Sequence, residues 1–230
     1  MNLLLTNDDG IDAPGLAILE RIVSHRGAIT IVAPVEEQSG VGHRVTDKAL
    51  IAVHARDDSS FAVAGTPADC ARLGLLELAR GATWLLSGIN PGGNLGSDIY
   101  MSGTVAAARE AALLGIPAVA VSQYRAVRNG LLDWERSAAW TTRVLQHLWE
   151  TPLKRGEFWN VNLPDPVDAV TEPEIVFCPV DPGHHAVAFE RRESGWIYRG
   201  QYRERHREPG SDVDVCFAGN IAVSRVGPVV

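Results

Sequence analysis

Short apolar runs alternate with helical periodicities along the first two-thirds of the chain. Residues 3–6 form an apolar run that ends at Asn7-Asp8-Asp9-Gly10, the pattern of a buried strand stopped by a turn. Over 14–24, Leu16, Leu19, Ile22 and Val23 recur at helical spacing, and Pro14 suits a first helical turn. Residues 28–33 are apolar and β-branched and stop at Pro34. Strand, helix and strand in this order predict a parallel sheet. Weaker strands are expected over 50–54 and 61–64. Thr66 as an N-cap with Pro67 behind it predicts a helix running to about residue 79. A strand over 84–87, a glycine-rich loop over 88–103 and a helix of small residues over 104–114 follow. A strand over 118–122 and an amphipathic helix over 134–149, with Ala138, Val144, Leu145 and Leu148 in its apolar set, come next.

Beyond Pro152 the texture changes. Residues 158–163 read as a strand stopped by Pro164-Asp165-Pro166, and further strands are expected over 174–178, 196–202 and 221–226, with no helix between them. The pattern predicts an α/β fold with a mostly parallel sheet in residues 1–152. Residues 153–230 would add a completing strand and a β-rich extension of hairpins and arms, the whole being effectively a single domain.

Composition narrows the class. With 230 residues, 46% hydrophobic and 21% charged, the chain is too apolar for disorder. Three cysteines (Cys70, Cys178 and Cys216) without regular spacing exclude a disulfide framework and a zinc ribbon. No run approaches the ~20 apolar residues of a membrane span. The opening residues lack a basic region, so no signal peptide and a cytoplasmic location are expected. A net charge of −7 argues against a partner gripped through a nucleic-acid backbone.

Three constellations carry chemistry. Asp8 and Asp9 stand side by side at the carboxyl end of the first strand, where open α/β sheets bind ligands. Adjacent carboxylates repel, and a hard divalent ion with oxygen ligands, magnesium or manganese, resolves the repulsion. The same tetrapeptide also fits a plain Asx turn with Gly10 at positive φ. Ser39, Gly40, Gly42, His43 and Thr46 follow the second strand, so parallel pairing would bring Ser39 to the same edge. His43 could donate to phosphate or shuttle a proton there, or be an ordinary loop histidine. The third constellation is the loop from Gly88 to Gly103. Asn90 and Asn94 offer neutral polar atoms, and Ser102, Gly103 and Thr104 at a helix start offer hydroxyls and free amides to an anion. It is neither a Walker A motif nor the dinucleotide fingerprint.

These residues also carry a resemblance. Asn7-Asp8-Asp9-Gly10, Ala13-Pro14-Gly15, Ala33-Pro34, Gln38-Ser39-Gly40 and Gly65-Thr66-Pro67-Ala68-Asp69-Cys70 occur in order. Ser87-Gly88-Ile89-Asn90, Asn94-Leu95-Gly96 and the run from Ser102 to Ala108 follow them. Together they resemble the survival protein SurE family of metal-dependent nucleotidases over roughly residues 1–165. The resemblance implies a Rossmann-like, three-layer α/β fold whose C-terminal extension exchanges between subunits of a homodimer or homotetramer. It implies one divalent ion per subunit, on Asp8, Asp9, Ser39 and Asn90, with Asn94, Ser102, Gly103 and Thr104 lining a phosphate pocket. The implied activity is hydrolysis of nucleoside 5′- and 3′-monophosphates, and Asp9 or His43 could carry the proton. In the tail, Ala222-Val223-Ser224-Arg225-Val226 stands where members have a Ser-Ile-Thr-Pro-Leu-like run, whereas Gly210-Ser211-Asp212 resembles the family's Gly-Thr-Asp.

Rival readings come from other classes. Asp8 could form a phospho-aspartate, although such phosphatases usually show Asp-x-Asp and here the acids are adjacent. The chain could bind nucleotide without catalysis. Arg191, Arg192, Arg199, Arg203, Arg205 and Arg207, interleaved with Trp196, Tyr198 and Tyr202, could stack RNA bases. They fit better an exposed hairpin paired with Glu190, Glu193, Glu204 and Glu208, or a contact with a partner subunit. His184 and His185 form a further weak metal option in a turn.

Overall fold

Nine strands join in one sheet in the computed structural model, which describes residues 1–126, 132–165, 172–184, 187–200, 202–205 and 207–227. They are β1 (Asn2–Thr6), β2 (Ala28–Pro34), β3 (Val53–Ala55), β4 (Ser60–Val63), β5 (Trp84–Asn90), β6 (Ala118–Gln123), β7 (Phe158–Leu163), β8 (Ile175–Phe177) and β11 (Ile221–Val226). The order is β3-β4-β2-β1-β5-β6-β7-β11-β8. From β4 to β7 every neighbouring pair is parallel. β3 pairs antiparallel with β4, and β11 antiparallel with β7. The remaining strands, β9 (Phe189–Arg192) and β10 (Gly195–Tyr198), form a separate antiparallel hairpin. The expected α/β class, with its mostly parallel sheet and C-terminal hairpin, is therefore what the chain adopts.

Alternation along each strand divides the core in two. Leu3 and Leu5 face α1 (Pro14–Val23) and α4 (Trp134–Leu148), joining Leu16, Leu19, Val144, Leu145 and Leu148. Leu4 faces the other side, with Cys70 and Ala71 of α2 (Pro67–Leu73) and Val105, Ala107, Ala108 and Ala111 of α3 (Gly103–Leu113). The alanines of α3 let its backbone lie close on the sheet. That approach sets how near its first turn comes to the end of β1.

Three expectations are corrected. The strand expected over 50–54 starts later, at Val53, where pairing with β4 begins, and Leu50 stands 94% exposed before it. The strand expected over 196–202 ends at Tyr198; residue 201 lies outside the described residues, and a 3₁₀ turn takes Tyr202–Glu204. A helix, α5 (Asp212–Phe217), interrupts the region read as strands alone. Its signal was Ser211, whose side chain accepts from the Asp214 N–H at 3.4 Å, an N-cap that the search for apolar periodicity missed. The helix expected to reach residue 79 does so in two parts, α2 and a π turn over Gly74–Leu78.

The chain runs β1, β2, β4 towards one edge, then β5, β6, β7 towards the other. The direction of winding reverses between β1 and β5, the switch point beyond whose strand carboxyl ends open α/β sheets bind ligands.

Candidate active site

Asp8 and Asp9 follow β1 at that switch point. Thr6 is in register with Ser87, so the turn after β1 stands beside the end of β5. Asn7 shapes the turn. Its Nδ2 donates to the Gly10 carbonyl at 2.8 Å and its Oδ1 accepts from the Gly10 N–H at 3.2 Å. Gly10 has a φ of +104°, which a side chain would strain. The Asx-like turn and the paired acids are thus one device, in which Asn7 holds the loop and leaves both aspartate side chains for other work.

Asp8 is 4% exposed and leans on the start of α3. The Thr104 hydroxyl donates to Asp8 Oδ1. Gly103 is packed so tightly there that a Cβ on it would stand 2.7 Å from Asp8 Cβ and 2.9 Å from Pro67 Cγ. A helix N-terminus favours a nearby negative charge, which offsets part of the cost of burial. Burial nevertheless dominates and pushes the Asp8 carboxyl up. The Thr104 hydrogen bonds oppose that rise, and the Glu37 charge adds to it. Asp9 is pushed up to about 7, by burial first, then by the charges of Asp8 and Glu37. Asp9 Oδ2 is buried and has no hydrogen-bond partner among the described residues.

The second loop joins the first through its backbone, with the Gln38 N–H donating to the Asp8 carbonyl at 2.7 Å. Ser39 is exposed, and its hydroxyl donates to the Glu37 carboxylate. Asn90 ends β5 beyond a register shift that separates it from Ser87, and it pairs with Ser122. Its Nδ2 donates to the Gly92 carbonyl at 2.6 Å, which leaves Oδ1 as the atom able to accept.

Asn94 is held on three sides. Its N–H donates to Asn162 Oδ1 at 2.7 Å and its Nδ2 to Ser122 Oγ at 2.8 Å. Its carbonyl accepts from Asn160 at 2.9 Å and Asn162 at 3.1 Å. Ser102 caps α3, its Oγ accepting from the Val105 N–H at 3.1 Å. His43 is placed differently. Its Nε2 is 2.7 Å from Glu110 Oε2, two turns into α3, and its Nδ1 is 3.4 Å from Arg109 Nη1. No hydrogen bond joins it to Asp8 or Asp9 among the described residues.

Sequence reading missed several of these supports. Asn160 and Asn162 were legible only as strand residues, because alternation says which face they take but not what they meet. Glu37 escaped notice beside Ser39. Asp98 accepts from the Leu95 N–H at 3.1 Å, from the Tyr202 hydroxyl at 2.6 Å and from Arg205 at 3.1 Å. Asp212 accepts from the Gly96 N–H at 2.9 Å. The C-terminal segment therefore ties down the loop that carries Asn94. Arg205 is buried in this clamp and not on an exposed hairpin; Arg192 and Arg199 do pair with Glu190, as an exposed hairpin would have them. His185 lies outside the described residues. A groove of about 700 Å³ opens at the amino ends of β5, β6 and β7, by Trp84, Trp149, Lys154 and Arg155, at the other end of the strands from the acids.

A divalent ion fits this donor set. Among the described residues no group of three or more His, Cys, Asp or Glu could hold a metal, so an ion at the acids would combine two carboxylates with neutral oxygens. Asp8, Asp9, Ser39 and Asn90 offer that hard, all-oxygen combination. The buried, unpartnered Asp9 Oδ2 is an acceptor that lacks a positive partner.

Comparison with known proteins gives the family. The pattern of the family described as "Survival protein SurE" matches residues 3–183. A relative from Nostoc sp. is 50% identical, over 98% of this chain and 99% of its own length. The proteins named 5′-nucleotidase SurE from Phenylobacterium zucineum and Rhodospirillum rubrum are each 38% identical. They cover 97% and 96% of this chain and 90% and 88% of their own lengths. The crystal structure of the SurE protein from Aquifex aeolicus superposes with a TM-score of 0.83 at 29% identity, covering 99% of this chain and 93% of that one. With the acids at the switch point, the cradle at the start of α3 and a match spanning most of its length, the chain belongs to the SurE family.

Proposed function

We propose that this enzyme hydrolyses nucleoside 5′-monophosphates, and the 3′ esters, to nucleoside and phosphate, with a divalent ion held by Asp8, Asp9, Ser39 and Asn90. The observation that carries the reading is the pair of adjacent acids, Asp8 buried against the N-terminus of α3 and Asp9 half-buried with an unpartnered oxygen. When bound, the ion supplies neutralisation of phosphoryl charge and activation of water. The chain's own residues do the rest. The Gly103 N–H at the start of α3 meets a phosphoryl oxygen, Thr104 lines the pocket while its own donors hold Asp8, and the Ser102 hydroxyl, whose oxygen caps the helix, is free to donate its proton. Asn94, fixed by Asn160, Asn162 and Ser122, adds a donor that needs no rearrangement as charge develops.

The test is phosphate release from a panel of nucleoside 5′- and 3′-monophosphates, with EDTA and with each divalent ion. Release restored by magnesium or manganese after chelation is expected. Undiminished release in EDTA would refute the metal-dependent reading, and nucleotide binding without release would leave only a binding module.

We also propose that residues 153–230 assemble the chain into a homodimer or homotetramer. In the β9–β10 hairpin, Phe189, Trp196, Ile197 and Tyr198 are 60%, 66%, 43% and 52% exposed, a large apolar surface on an element outside the main sheet. Such patches mark contact surfaces. Sedimentation should therefore give two or four times the chain mass, and a monomer at micromolar concentration would contradict it.

A further inference from the structure

Ser39 is exposed and lies in a segment without helix or strand, yet the metal reading requires it to meet Asp8 and Asp9. The segment is pinned at both ends. At one end Gln38 is bonded to Asp8. At the other, the Gly42 N–H donates to the Met101 carbonyl at 3.0 Å, and the N–H and hydroxyl of Thr46 both donate to Asp69 at 2.8 Å. Between these anchors stands His43, whose contact with Glu110 is the segment's side-chain link to α3. That same helix presents Gly103 and Thr104 to Asp8.

Both ring nitrogens of His43 are engaged. Nε2 faces Glu110, Nδ1 faces Arg109, and Arg72 Nε takes the other Glu110 oxygen at 2.9 Å. The arrangement fits the neutral tautomer that donates from Nε2 and accepts at Nδ1. Glu110 lies seven residues beyond Gly103, about 10 Å along the helix axis at 1.5 Å per residue. A ring so placed and so occupied is suited to fastening the loop, not to exchanging protons with an ester at the acids.

We propose that His43 is a positioning residue: through Glu110 it latches the Ser39 loop onto α3, so that loop and helix present one set of oxygens to the cation. The inference rests on the metal-site reading above. The test compares His43→Ala, His43→Gln and Glu110→Ala with the parent chain. Manganese affinity is read by calorimetry, loop order by hydrogen exchange over residues 36–46, and turnover by its pH profile.

Supports of this kind typically change metal affinity by about 10–100-fold. His43→Ala and Glu110→Ala are expected to weaken manganese binding about tenfold and speed exchange at residues 39–42. The double variant should be no worse than either single one. Gln, whose amide nitrogen can stand near the position of Nε2, should restore affinity to within about threefold, with slow exchange and an unshifted pH profile. Unchanged affinity and exchange in His43→Ala would overturn the latch. So would a Gln variant with intact metal binding that has lost turnover and one limb of its pH profile, because that marks a proton carrier. If the parent binds no manganese, the metal reading fails, and exchange over 36–46 still decides whether His43 fastens the loop.

Discussion

Replacing either acid with its amide should abolish turnover while leaving the metal-free protein more stable than the parent. Asp8→Asn and Asp9→Asn keep the shape of each side chain but remove a charge the cation needs. A loss of at least about a thousandfold in kcat is expected, the scale on which transition-state charge stabilisation operates. The stability effect has the opposite sign. Asp9 is pushed up to about 7 by burial and by its acidic neighbours. In the metal-free fold its ionisation is therefore opposed, and stability is lost as pH rises from the unfolded value near 4 towards 7. Removing that charge should return about 2 kcal/mol at neutral pH, allowing for partial relaxation of the site. The gain should be nearly gone at pH 4 and vanish near pH 3, below the folded and the unfolded values alike, where the carboxyl is protonated in both states. Thermal unfolding in EDTA at neutral pH and near pH 3 measures this. An Asp9→Asn chain less stable than the parent at neutral pH would show that the acids are not strained without a cation.

Gly103→Ala should damage function far more than one added methyl ordinarily does in a helix. The added carbon would stand 2.7 Å from Asp8 Cβ and 2.9 Å from Pro67 Cγ, distances that real Cβ atoms essentially never show, and 3.0 Å from Asp8 Oδ2. Either Asp8 or the first turn of α3 must move, and both belong to the proposed site. Alanine is otherwise favoured over glycine in a helix, so helix propensity alone would give a small gain. Overpacking should reverse it, costing about 1–3 kcal/mol. A displacement near 1 Å at a reacting centre typically costs about a hundredfold in rate, and that is the loss expected in kcat/KM. Steady-state kinetics beside an unfolding curve separates the two effects. A variant with parental kinetics would show that α3 does not need its present closeness to Asp8.

The two substitutions mark what could be read from the chain and what could not. The strand–turn–helix rhythm around Asp8, the capped start of α2 at Thr66 and the break at Pro34 were legible, because each is set by residues within a few positions of one another. Parallel pairing then fixed which turns share an edge, and so brought the Asp8, Ser39 and Asn90 loops into one argument. What stayed hidden depends on long-range register. Asn160 and Asn162 reach Asn94 only because β7 lies two strands from β5. Arg205 reads as one of several surface arginines until the chain folds back and buries it on Asp98. His43 shows the same limit. Its type and loop suggested proton transfer, while its hydrogen-bond partner, Glu110, is 67 residues away and could not be read from the loop.

The central claim is that Asp8 and Asp9 together hold a cation. Anomalous diffraction at the manganese edge, from crystals soaked in manganese, tests it most directly. One peak within about 2.1 Å of a carboxylate oxygen from each residue is the expected result, given the usual reach of hard divalent ions to oxygen. A peak elsewhere in the chain, with none between the two carboxylates in the same crystal, would contradict it.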